Sequence, residues 1–430
     1  MKRNFTTFIL IIILPLQISF AKTIVEIPSS FNPVGSGARA IGMGGAFIGV
    51  ADDATAASWN PGGLTQLLLP EMSFVGTFTN RKESLDVKIY PEASDQFRIS
   101  NSDITYFSMA YPFNAGDRNM IIAITYQQLY DMNRHWTFQY YVIDDDFNMD
   151  YYVDYHQKGS LSALGLSYCI EITPDFSLGF TVNIWDNDMS DNHWTQIYDH
   201  SILDHGDIDE DPTLIEYQKI ETYSFNGTNF NVGFLWNINS NFTLGAVLKT
   251  SFWADIDHTI HRDNDPSNNI NQHEKIKMPL SYGMGIVYRF SDNLYVSGDM
   301  YKTHWDQLSH VDAYGIESNP TSEKEFYTHM DATHQFRIGA EYLFANPYKH
   351  QIFAIRSGIF YDPMPSMEHP DDYYGFSLGL GFTKNEWFSC DIAYQCRWAR
   401  QVGEDMLEYF RLSQNIIEHK MYFSTILYMF

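Results

Sequence analysis

Three groups of side chains have the types and spacing from which chemistry could be built. The first is histidine with aspartate. His258 and His261 stand three apart, near Asp255, Asp257 and His273, in a stretch that reads as the loop 255–275. Imidazole and carboxylate are common divalent-metal ligands, but two loop histidines without a fixed ligand spacing do not specify a site. Asp207, Asp209 and Asp211 resemble the start of a calcium loop. Pro212 falls where that loop needs glycine, and no glutamate closes it, so an EF-hand is excluded. No resident metal is expected.

The second group is glycine-rich. Gly35-Ser36-Gly37-Ala38-Arg39-Ala40 has the outline of a dinucleotide loop. No apolar strand precedes it and no βαβ unit follows, so that reading is rejected. Neither a P-loop nor a Gly-x-Ser-x-Gly elbow occurs, and Ser and His are scattered without a paired arrangement. The expectation is a protein that is not an enzyme and carries no cofactor.

The third group binds rather than reacts. Lys249, Arg337 and Arg356 are cations within otherwise apolar or small-residue stretches. They can hold a carboxylate head group, and they equally suit ion pairs with Glu341, Asp391 or Asp299 on neighbouring strands. Trp194 and Tyr198, with Tyr140, Tyr141, Phe147, Tyr151 and Tyr152, lie in long connections. They suit capture of an apolar solute, or ordinary packing.

The elements that must position these groups follow from periodicity. Tyr374, Phe376, Leu378, Leu380 and Phe382 alternate with Gly375, Ser377, Gly379 and Gly381. Period two means strands with one apolar face. Fourteen such strands are predicted between residues 72 and 430. They include 72–79, 158–171, 241–254, 276–290, 332–344, 351–361 and 420–430. Long and short connections alternate without exception. A soluble sandwich has no reason to gather its long loops at one end, whereas an outer-membrane barrel does. The fold predicted is all-β, a fourteen-stranded antiparallel transmembrane barrel. Arg337 and Arg356 then face the lumen, while Phe336, Ile338, Phe353 and Ile355 face lipid.

The composition agrees. The chain has 430 residues, 27 basic and 53 acidic, for a net charge of −26, with 16% aromatics. So acidic a chain has little means of displacing counterions from phosphates, which excludes nucleic acid. Tyr and Trp in excess suit aromatic girdles at the two membrane interfaces. Residues 186–212 hold nine carboxylates and no Lys or Arg, so the acidic excess sits in the connections. Three cysteines, Cys169, Cys390 and Cys396, make no disulfide scaffold. Residues 1–21 read as a signal peptide, with a basic start, an apolar run to Ile18 and small residues before Lys22. The terminal Phe430 with its alternating neighbours resembles the signal read by the barrel-assembly machinery. Outer-membrane lipid and lipopolysaccharide are the expected surroundings, and a monomer the expected state.

Residues 22–71 do not alternate. Their small residues suit a segment squeezed inside a lumen, so they are predicted to form a hatch, with 72–430 as the barrel. Here the sequence is identifiable by resemblance. GARAIGMGGAFIGVADDATAASWNPGGL, residues 37–64, resembles the N-terminal signature of the FadL/TodX family of outer-membrane transporters of hydrophobic compounds. The match runs through Asn60-Pro61, with Gly62 where the family's motif has Ala. LSYGMGIVYRFSDNLYVSGDMYKTHWDQL, residues 280–308, and YGFSLGLGF resemble hairpins of the same family. The resemblance implies a fourteen-stranded barrel closed by an N-terminal hatch that passes long-chain fatty acids or aromatic hydrocarbons. Gly42, Gly44, Gly45, Asn60 and Pro61 are the hatch positions singled out, with Gly42 to Gly45 as the flexible point. The alternative is a protein-secretion or shuttle partner like the PorV group, whose members share the hatch signature.

Overall fold

A computed structural model describes residues 32–429 except 145–146, 207–210, 264–268, 319–329, 367–368, 385–386 and 405–410. The signal-peptide reading of residues 1–21 and the terminal Phe430 lie outside the described residues, as do Asp207 and Asp209.

Fourteen antiparallel strands close into a barrel. In chain order they are β1 (Glu71–Val87), β2 (Gln96–Ala115), β3 (Arg118–Asp131), β4 (Phe147–Thr173), β5 (Phe176–Trp185), β6 (Thr213–Asn237), β7 (Phe242–Lys249), β8 (Ser281–Arg289), β9 (Leu294–Thr303), β10 (Thr333–Asn346), β11 (Gln351–Tyr361), β12 (Tyr373–Lys384), β13 (Phe388–Val402) and β14 (Leu412–Tyr428). Each pairs with its neighbour in sequence order, and β1 pairs with β14 from Glu71–Tyr428 to Val87–Leu412. Closure removes the sheet edges, so the ladder groups pair within the wall along most of its length. Among the described residues no helix is long and apolar enough to cross a membrane.

The alternation read from the sequence has its physical cause in this wall. Phe336, Ile338, Phe353 and Ile355 are exposed on the outer face, while Arg356 is buried and Arg337 is directed inward. A one-residue slip would reverse both sets. Replacing Ile338 with Arg should therefore cost about 2–4 kcal/mol if it lies near the bilayer midplane. Heat-modifiable migration after urea titration measures this. Equal tolerance of Arg at 338 and of the native Arg337 in the same assay would overturn the assignment.

Two expectations are corrected. The long connections are not simple loops. Arg134–Asp144, His193–Asp204, Phe252–Arg262 and Ile270–Met278 are further strands that pair with the outer halves of β4 and β6 and with one another. They raise the wall beyond the membrane. Strand bounds shift for the same reason. The wall continues past the apolar belt, so 72–79 becomes 71–87 and 158–171 becomes 147–173. The stretch 241–254 breaks after Lys249, and 276–290 divides at Pro279 and Leu280.

Residues 34–67 pack against the inner face of the wall, and the chain emerges at Leu68. They form a helical turn at Ala38–Gly42, another at Ala56–Trp59 and a 3-10 helix at Pro61–Gln66. The wall glycines make room for them. A Cβ at Gly339 would sit 2.1 Å from the Met43 carbonyl oxygen, and one at Gly358 would sit 2.3 Å from the Gly44 nitrogen.

Candidate functional site

The N-terminal segment is held by polar groups that β-strand parity turns inward. Arg39 pairs with Asp52 at 2.7 Å and with Glu341 of β10 at 3.1 Å. Glu341 also receives the Tyr295 hydroxyl at 2.8 Å and binds Arg356 of β11. Arg356 reaches on to Asp391 of β13 at 2.6 Å. Asp299 accepts the backbone N–H groups of Phe47 and Ile48 at 2.7 and 2.8 Å. Asn60 donates to the carbonyls of Ile48 and Phe234 at 2.8 and 2.9 Å, and accepts from the Gly62 N–H at 3.0 Å. Its Pro61 neighbour starts the 3-10 helix beside β5 and β6, toward the short-turn end of the barrel. Gly44 and Gly45 take φ of 70° and 75°, which glycine adopts without strain. The Gly44 N–H donates to Ser377 Oγ at 2.8 Å, and Ser377 donates to the Gly42 carbonyl at 3.1 Å. This stretch packs against the backbone of β11 rather than standing free.

Between this segment and the wall is a cavity of about 220 Å³. Its apolar surface comes from Trp59, Leu129, Trp185, Phe252, Met278 and Trp305. Lys249 and Arg337 both line it. Arg337 is occupied, with Asp362 at 3.3 Å. Lys249 differs. Its ammonium lies 5.7 Å from the Tyr301 ring centre, and among the described residues it has no carboxylate partner. Arg356 is not a cavity residue but part of the Glu341 network. Trp194 and Tyr198 sit higher, fully buried in the aromatic packing of the outer strands. Trp194 stacks on Tyr223 at 4.8 Å, and Tyr198 packs on Tyr155 at 4.9 Å.

The histidines and aspartates of 255–275 do not converge. A spacing of three in a strand puts His258 inward and His261 outward, and His273 is exposed as well. His258 instead belongs to a buried chain outside the membrane. Its Nδ1 lies 3.0 Å from Glu274, which lies 3.0 Å from His310. Burial alone would raise the Glu274 carboxyl, but the two histidines outweigh it and hold the group down at about 2. Among the described residues no group of three or more potential ligands is placed to hold a metal ion.

The wall ladder is interrupted at one place beside the cavity. β2 and β3 pair only as far as Tyr106–Gln127. β2 continues with β1 to Gln96, and β3 continues with β4 to Asp131. The edge of β3 freed in this way is taken by the N-terminal segment, through Asn32–Asp131 and Pro33–Tyr130. The Val34 N–H donates to the Leu129 carbonyl at 2.9 Å. Across the break Asn101 reaches Asp131 at 3.4 Å. Val34, Leu129 and Tyr130 all line the cavity, so the cavity borders the interruption.

Several inward charges escaped the sequence reading. Arg81 pairs with Glu83 at 2.8 Å, Glu418 pairs with Lys420 at 3.0 Å, and Glu83 accepts the Trp136 indole N–H at 2.6 Å. The signal was present, since 81 and 83 continue the parity of Thr77 and Thr79. The predicted strand 72–79 stops short of them, whereas the strand itself runs to Val87.

A closed antiparallel barrel with apolar outer face and filled, charged lumen is the architecture of a bacterial outer-membrane protein. The chain belongs to the outer membrane transport protein family OMPP1/FadL/TodX, whose model matches residues 34–415. No curated protein matches it. Among solved structures it is similar to the CymD monoaromatic hydrocarbon channel, at 14% identity and TM-score 0.51, covering 93% of this chain and 99% of that one. It is similar to the Ralstonia pickettii toluene transporter TbuX, at 13% identity and TM-score 0.53, covering 93% and 100%. The Pseudomonas putida toluene transporter TodX gives 11% identity and TM-score 0.52, covering 93% and 100%. At these identities the likeness is one of fold.

Proposed function

We propose that this protein lets small hydrophobic compounds cross the outer membrane by passive diffusion, with the N-terminal segment as a hatch, and that it performs no covalent chemistry. The observation that carries this reading is the lumen cavity, where Trp59, Leu129, Trp185, Phe252, Met278 and Trp305 supply apolar wall among polar side chains, and which borders the interrupted ladder. A cavity of about 150 Å³ with apolar walls is enough to bind benzene. The 220 Å³ here suits a monoaromatic hydrocarbon or the end of an acyl chain. The structural relatives named above as toluene transporters and a monoaromatic hydrocarbon channel support that solute class. Lys249 gives the cavity one ammonium not neutralised by a described carboxylate, which suits a solute with an anionic or polar end, a fatty acid among them. The protein works as a monomer, since the path lies within one barrel.

The test is uptake of labelled toluene and of a labelled long-chain fatty acid by cells with and without the protein. Both the parent and Ser281→Trp, which narrows the cavity, are compared. The parent should accumulate at least one of the solutes faster than cells lacking it, and Ser281→Trp should remove most of the difference. No gain over cells lacking the protein would overturn the reading and favour a protein-docking role.

A further inference from the structure

The outer face of the wall carries a pair of cations that transport does not use. Lys82 of β1 and Arg98 of β2 are direct cross-strand partners. Both have outward parity, and Arg98 is exposed. Neither forms an ion pair or hydrogen bond with a described residue. Like charges directly opposite on adjacent strands destabilise the pair. In a chain with 53 acidic and only 27 basic residues, a carboxylate neighbour would be easy to supply. The nearest outward carboxylate on these strands is Asp86, four residues along β1, about 13 Å away at strand spacing. His419, opposite Asn80, is engaged by the Tyr394 hydroxyl at 2.7 Å.

The register says where this pair sits. Tyr361 pairs with Tyr374, Tyr374 with Trp398, Trp398 with Ile417, Ile417 with Lys82, and Lys82 with Arg98. One continuous ladder row thus joins outward Tyr and Trp side chains to the two cations, and because the strands are tilted it shifts in height by about 3 Å per strand rather than marking one level. Lys82 stands about twelve residues above the short-turn end of β1. At ~3.3 Å per residue and a tilt of about 40°, that is roughly 30 Å, just above an apolar belt about 25 Å tall. Two cations at the outer head-group level, without a carboxylate partner among the described residues, suit a polyvalent anion.

We propose that Lys82 and Arg98 form a seat for a phosphate of a phosphorylated outer-leaflet glycolipid, of the lipid A type. Arg98 supplies a planar two-pronged donor and Lys82 a point charge, so one phosphate can accept from both. The bound head group relieves the repulsion across the strands and fixes the lipid beside β1 and β2, the second of which borders the ladder interruption.

The detergent-purified protein tests this by native mass spectrometry, with added bisphosphorylated lipid A, dephosphorylated lipid A, or inorganic phosphate. The parent should retain the bisphosphorylated lipid. Lys82→Gln and Arg98→Gln should each retain less, and the double variant at least fivefold less. Heat-modifiable migration verifies that the variants are folded, and the single variants keep the test informative if the double one is not. Equal retention by parent and folded variants would overturn the proposal. So would equal retention of the dephosphorylated lipid, or displacement of the lipid by inorganic phosphate at the same concentration, which would mark a free-phosphate site instead.

Discussion

A disulfide joining positions 34 and 129 should stop uptake, and reduction should restore it. Val34 and Leu129 form a hydrogen-bonded cross-strand contact at 2.9 Å where the N-terminal segment covers the free edge of β3. Such partners have Cα atoms about 5.5 Å apart, within disulfide reach. Val34→Cys with Leu129→Cys, in a background with Cys169, Cys390 and Cys396 replaced by Ala, locks the segment on the wall. If the segment must leave that edge for a solute to pass, oxidised cells should take up labelled toluene or fatty acid at least tenfold more slowly than the reduced ones. Uptake that is the same in both states, with the disulfide verified by mass spectrometry, would show that the segment stays in place during passage.

The second large effect is expected at Glu341. This one carboxylate bridges Arg39 of the N-terminal segment and Arg356 of the wall, and is nearly inaccessible to solvent. Removing the carboxylate shared by the two guanidiniums weakens the link between them, by less than the ~3–5 kcal/mol that a wholly uncompensated buried charge costs. Arg39 keeps Asp52, and Arg356 keeps Asp391, so the barrel should survive while the docking of the segment weakens. Glu341→Gln in planar bilayers should therefore show ion conductance that the parent lacks, with unchanged heat-modifiable migration. A variant as closed to ions as the parent would mean that the segment is held by its backbone contacts to Asp299 and Ser377 instead.

The barrel was legible because lipid and lumen impose opposite demands on adjacent residues. Ile338 and Arg337 could not exchange places, so parity alone assigned them. Strand ends were less legible. Above the apolar belt both faces of the wall meet water or packed protein, and the alternation that marked Phe74 and Phe78 gives way to Lys82, Ser84 and Asp86. The outer strands were missed for the same reason. His258 and His261 read as loop residues because the inward face of their strand, Ala254, Ile256 and Ile260, is broken by His258 and set against a run of Asp and His outward. At the site, charge type identified Lys249 and Arg337 as inward cations. Only three-dimensional pairing separates them, since the partner of Arg337 is Asp362, on the far side of a turn. Trp194 and Tyr198 show the limit of composition. Aromatics in a long connection can face a solute or one another, and here they stack. The ladder interruption lies where both flanking strands slip register, at Thr105 of β2 and Leu129 of β3, and a one-residue bulge in a strand pattern is not told from the sequence alone.

That interruption also bears on how the channel is powered. A closed barrel resists opening because parting two strands breaks a whole ladder, and the β1–β14 seam alone runs seventeen residues on the β1 side. Here the opening used on the proposed route is already unpaired between its two wall strands. It is covered by a two-residue backbone contact and the Val34 bond. At roughly 0.5–1.5 kcal/mol per hydrogen bond, thermal motion suffices to lift such a cover. The periplasmic space supplies no nucleotide hydrolysis, and none is required. On the proposed passive route the solute's own concentration gradient and its escape from water are the driving forces, and that route calls for no coupling to the inner membrane.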